Sequence, residues 1–93
     1  MSGCILKVSE AASIAIHSMV VLANKDNEWL SLKDIAKNLD VSANHLSKVL
    51  QKLHKAGFIN STKGCNGGFK LSTPPDDINF LEIYETFDGK FDN

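Results

Sequence analysis

Five lysines, Lys48, Lys52, Lys55, Lys63 and Lys70, stand in a stretch between Asp40 and Asp76 that contains no acidic residue. Ammonium groups gathered without counter-charges attract phosphate oxygens, whatever the net charge of the whole chain. Among them stand Asn44, Ser47 and Gln51, whose amides and hydroxyl can bond to base edges. Asn and Gln match the acceptor and donor pair of adenine, and Lys matches the acceptors of guanine. His17, His45 and His54 have no motif-like spacing with Cys4 or Cys65. The chemistry offered is recognition of anions and base edges, not bond making.

Two short helices must carry these residues, and their starts are written in the sequence. Ser31 can cap a helix, with Asp34 three residues on facing its positive end and Leu30 and Ile35 closing as a hydrophobic staple. Ser42 repeats the device with Val41 and Leu46. Caps eleven residues apart leave about two turns for a helix over 32–39, burying Leu32, Ile35, Ala36 and Leu39. The second helix spans 43–56 and stops at Gly57, expected to be left-handed. Its apolar stripe is Leu46, Val49, Leu50 and Leu53; its outer face holds Asn44, Ser47, Lys48, Gln51, Lys52 and Lys55. An outer face of lysines is also what an ordinary solvated helix carries. Two capped helices joined by a three-residue turn, however, make a helix-turn-helix, whose second helix enters the DNA major groove.

The 93 residues suffice for one domain with a small core, and 43 % hydrophobic with 23 % charged residues is the composition of an ordinary globular protein. No apolar run approaches the roughly 20 residues of a membrane span, and the N-terminus does not have the layout of a secretion signal. Two distant cysteines make no disulfide framework, so a cytoplasmic location is expected. The net charge of −1 conceals an asymmetry. Residues 1–70 hold nine lysines and five acids, whereas residues 71–93 hold one lysine and six acids.

The remaining elements follow in order. A helix over 9–23, capped by Ser9 or a neighbour, is apolar on more than one face through Ile14, Ile16, Met19, Val20, Leu22 and Ala23. It therefore needs cover on two sides, from the domain core and from a later helix or a partner subunit. His17 within it reads as a packing or surface residue. Trp29 is expected as a lid on the core. After Gly57 the period changes, and a hairpin over 58–71 is predicted with the tip Lys63-Gly64-Cys65-Asn66-Gly67-Gly68 and an Asn-Gly turn signal. Pro74 and Pro75 exclude helix or central strand. Asn79 caps a last helix over 80–87, with Ile78 and Ile83 as a third staple and Gly89 at its end. The fold class is mainly α with a small β-hairpin, a single winged helix-turn-helix domain over 1–93.

Three stretches, SLKDIAKNLDVSANHLSKVLQKLHKAGFI, STKGCNGGFKLSTPPDDI and FLEIYETFDG, together resemble the Rrf-type (IscR/NsrR/CymR-like) winged helix-turn-helix transcription regulators. The run from Leu50, Leu53, Ala56 and Gly57 into Ser61, Gly64, Gly67, Gly68, Phe69 and Leu71 carries the likeness. The resemblance implies a homodimer on a palindromic operator, the second helix in the major groove and the wing along the minor groove. It assigns DNA contacts to Ser42, Ala43, Asn44, His45, Ser47 and Lys48, and at the wing to Lys63, Gly64 and Gly67. The residue types add Gln51 and Lys52. Many such regulators hold an iron–sulfur cluster on three cysteines after the last helix. Cys4 and Cys65 do not match that pattern, and Ser13 falls about where some of them place an acidic ligand. No cofactor is expected on this chain.

All ten basic residues are lysine. Arginine's planar fork reads guanine and narrow minor grooves better than an ammonium does, so a large phosphate component and a modest specificity ratio are expected. The expected function is a sequence-specific DNA-binding repressor, not an enzyme, with double-stranded DNA and a second copy as partners and no membrane. The alternative is a winged-helix interaction module that does not read DNA. Cys65 reads as an exposed thiol or as a redox sensor in the wing, where Lys63 favours its thiolate.

Overall fold

The computed structural model describes residues 8–25, 28–63 and 67–89. Among these residues four helices, α1 (Glu10–Ala23), α2 (Leu32–Leu39), α3 (Ala43–Lys55) and α4 (Phe80–Asp88), accompany a hairpin of β1 (Ile59–Thr62) and β2 (Gly68–Leu71). The architecture is a winged helix-turn-helix.

Each helix starts at a side-chain cap. The hydroxyls of Ser9, Ser31 and Ser42 accept from the amides of Ala12, Asp34 and His45, each at 3.1 Å. Asn79 Oδ1 accepts from Glu82 N at 3.2 Å. An uncapped helix start leaves amides without partners, and one such cap contributes about 1 kcal/mol. The ends are set by backbone conformation. Gly57 (φ +93°) lies just past α3, and Gly89 (φ +89°) follows α4. Asp40, which ends α2, adopts the left-handed region with φ 56° and ψ 47°. It turns the chain from α2 to α3 within three residues.

Met19, Ile35, Leu46, Leu50, Leu53, Ile59 and Ile83 are fully buried, so every helix and β1 contribute to one core. Its single buried polar residue among those described, Ser18, donates to Ile14 O at 2.7 Å and thus leaves nothing unpaired. The cover for α1 comes from α4, α3, α2 and β2, although Val20 stays 41 % exposed.

The strands pair antiparallel, with Ile59 opposite Leu71, Asn60 opposite Lys70, Ser61 opposite Phe69 and Thr62 opposite Gly68. The connection is five residues, Lys63 to Gly67, longer than a two-residue Asn-Gly turn. Leu30 adds a further rung: its N–H donates to Phe69 O at 2.9 Å, and Phe69 N donates to Leu30 O at 2.7 Å. Leu30 thereby bridges the segment before α2 to β2 at the root of the wing. Gly68 permits the approach, because a Cβ there would lie 2.7 Å from Leu30 O.

Two expectations are corrected. Trp29 is no lid; it is 43 % exposed, and the Lys70 ammonium stands 4.8 Å from its ring centre. Pro74 and Pro75 do not exclude every helix, because a single 3₁₀ turn spans Pro75–Asp77. Proline is tolerated at a helix's first position because that amide needs no intrahelical acceptor.

Candidate nucleic-acid interface

The recognition helix α3 buries Leu46, Val49, Leu50 and Leu53 against the core. With about 100° between successive residues, Asn44, Lys48, Gln51 and Lys55 lie opposite that stripe, and all four are exposed. This line presents two ammonium groups and two amides along a helix about 20 Å long. A major groove about 12 Å wide accepts such a helix. Ser47 and His45 flank the line and are half-buried. Gln51 Nε2 lies 3.4 Å from Ser47 Oγ and can donate to it. That contact leaves the amide's oxygen and second hydrogen for another partner.

The start of α3 is built differently from the other three helices. Their first turns carry Glu10, Asp34 and Glu82, whereas the first turn of α3 carries no acid. The positive end of its dipole and its uncapped amides therefore face outward at Ser42, Ala43 and Asn44 without a built-in anion. All three residues are exposed. A phosphate would supply the missing charge.

Lys52, expected on the same outer face, lies about 70° round the helix from the Asn44–Lys55 line. Its ammonium stands 5.0 Å from the centre of the Phe87 ring on α4. Next to that ring, Asp88 accepts from Ser9 N at 2.9 Å and from the Ser9 hydroxyl. These hydrogen bonds, helped by the charge of Lys52, hold the Asp88 carboxyl below its ordinary value. The signal in the sequence was the i, i+4 spacing of Lys48 and Lys52, which does not separate the centre of a helix face from its flank.

At the wing, Lys63 is exposed at the end of β1, and Gly67 precedes β2 as a half-buried residue. Gly64, Cys65 and Asn66 lie outside the described residues, and so does Cys4. Sequence reasoning missed the Leu30 rung and the Trp29–Lys70 pair. A single bridging residue has no periodicity to detect, and a cation–π pair requires the hairpin register to be known first.

This fold, with an exposed and acid-free second helix, is a winged helix-turn-helix. A family model described as "Rrf2: Iron-dependent Transcriptional regulator" matches residues 8–93. The chain belongs to the Rrf2 family. It is 33 % identical over 87 residues to the HTH-type transcriptional regulator NsrR of Bacillus licheniformis, covering 92 % of this chain and 61 % of that protein. NsrR of Shouchella clausii is 43 % identical over 79 residues, covering 84 % and 53 % respectively. Among solved structures, CymR, the global cysteine regulator of B. subtilis, superposes with a TM-score of 0.85 at 32 % identity, covering 91 % of this chain and 67 % of that one. IscR of T. potens superposes at 0.80 with 32 % identity, covering 99 % and 69 %. The chain thus spans roughly half to two-thirds of these relatives' lengths. The relatives are transcriptional regulators, not enzymes.

The family description includes iron dependence. Among the described residues no group of three or more His, Cys, Asp or Glu is placed to hold a metal ion. None of the described helices is long and apolar enough to cross a membrane.

Proposed function

We propose that this chain is the DNA-reading domain of a cytoplasmic repressor that binds a palindromic operator as a homodimer. The acid-free exposed line of α3 and the acid-free start of that helix carry this reading. Ser42, Ala43 and Asn44 would hold a phosphate through the helix start, with His45 and Ser47 beside the backbone. Lys48, Asn44 and Gln51 would reach base edges in the major groove. Lys63, with Gly64 and Gly67 allowing close backbone approach, would follow the adjacent minor groove. Two copies on successive half-sites would place their recognition helices about one helical turn, roughly 34 Å, apart. Occupation of the operator would exclude other proteins from it, which is the basis of repression.

The Lys48→Ala variant tests the reading in duplex titrations at several salt concentrations. Loss of one phosphate neutralisation lowers the slope of log K against log salt by about 0.9, and loss of a base contact weakens binding by about 1–3 kcal/mol. Wild-type affinity and slope in this variant would overturn the assignment. No duplex binding by the wild type at low salt would favour the interaction module instead.

A further inference from the structure

We propose that Lys52 is a positioning residue that ties the recognition helix to the end of α4, and is not one of the groups that neutralise DNA phosphate. The inference rests on the DNA-reading assignment above and adds to it the means by which α3 is held.

Three observations place Lys52 in this role. Its ammonium stands over the Phe87 ring at 5.0 Å, within the roughly 6 Å over which a ring face attracts a cation. It lies on the flank of α3, away from the line of Asn44, Lys48, Gln51 and Lys55. Finally, α4 has no basic residue in its own last turn, although the negative end of its dipole and the Asp88 carboxylate both lie there. A cation is favourable at such an end, and α3 provides it.

The tie does not stop at α4. Asp88 accepts from the Ser9 amide at 2.9 Å and from the Ser9 hydroxyl, and Ser9 caps α1. The Lys52 ammonium lies over Phe87, and the neighbouring Asp88 joins the end of α4 to the start of α1, so α4 links the recognition helix to α1. Phe87 is half-buried against the core, so its ring is a fixed platform. Changes at the end of α4 would pass to the tilt of α3 through this contact, and the exposed line of α3 would shift with it.

The experiment compares wild type, Lys52→Met, Lys52→Arg, Phe87→Leu and the Lys52→Met/Phe87→Leu double variant in duplex titrations over a range of salt. Methionine keeps the apolar stem and loses the charge; arginine keeps a cation that stacks on an aromatic face. Lys52→Met and Phe87→Leu are each expected to weaken binding about two- to fivefold. The double variant is expected to be no weaker than the worse single one, the salt slope to stay at the wild-type value, and Lys52→Arg to bind as wild type. A slope lowered by about 0.9 in Lys52→Met would make Lys52 a phosphate contact and overturn the proposal, as would additive single effects or no effect. Should the wild type fail to bind duplex at all, the DNA-reading assignment falls, and the tie is decided by urea unfolding of the same variants. Less-than-additive destabilisation then supports it, and additivity overturns it.

Discussion

Replacing Gly68 by alanine should separate the wing from the body of the domain without touching any proposed DNA contact. The new Cβ would lie 2.7 Å from Leu30 O and 3.0 Å from Leu30 C, both backbone atoms that no side-chain rotation can move away. Relief requires Leu30 and β2 to part, and two hydrogen bonds of 2.7 and 2.9 Å join them there. Each contributes about 1 kcal/mol net. Alanine returns about 0.4–1 kcal/mol by restricting the unfolded chain. The expected net loss is therefore about 1–2 kcal/mol, or a Tm lower by roughly 4–16 °C for a chain of this size. Trp29, the sole tryptophan, precedes Leu30 and lies under Lys70, so its fluorescence should change with the rupture. Thermal and urea unfolding followed by circular dichroism and Trp29 emission measures both. A Tm within about 2 °C of wild type together with an unchanged emission spectrum would show that the rung does not hold the wing.

Other perturbations test other joints. Asp40 holds a left-handed conformation, which costs an L-residue about 1–2 kcal/mol unless its side chain bonds locally. Urea unfolding should thus rank Asp40→Gly above wild type and Asp40→Ala below it, by about 0.5 kcal/mol each way after the entropic offset of glycine; the reverse order would deny that the turn is strained. Asp88 has a lowered pKa because Ser9 donates to it, so the unfolded chain takes up its proton first. Its contribution is present above the ordinary value of 3.8 and is lost as pH falls through the lower native value. Asp88→Asn should accordingly lose less stability than wild type between about pH 6 and about pH 3. Equal losses in urea midpoints would remove the Ser9–Asp88 clamp from the account of the fold.

What was legible in the sequence was local chemistry. Ser31, Ser42 and Asn79 announce helix starts because a hydroxyl or amide three residues before an unpaired N–H has one obvious use. Gly57 and Gly89 announce ends for an equally local reason. The stripe at Leu46, Val49, Leu50 and Leu53 oriented α3, and the outer face read from it was Asn44, Ser47, Lys48, Gln51, Lys52 and Lys55, of which Ser47 and Lys52 lie on the flanks. What stayed hidden depends on residues far apart in the chain. Leu30 pairs with Phe69, Trp29 with Lys70, Lys52 with Phe87 and Ser9 with Asp88, and none of these partners is signalled by spacing. Asp40 was hidden differently, because an aspartate in a left-handed turn looks like an aspartate on any surface. The consequence for the interface is specific. A lysine count made Lys48 and Lys52 equivalent, whereas the surroundings of each ammonium do not. Lys48 faces open solvent on the centre line of the helix, where a phosphate or guanine can approach from outside the molecule. Lys52 already stands over an aromatic face, so a phosphate would have to compete with a partner that folding has placed there. On these proposals, the charge that would attract DNA and the charge that would hold the reading helix in place stand about one turn apart on the same helix.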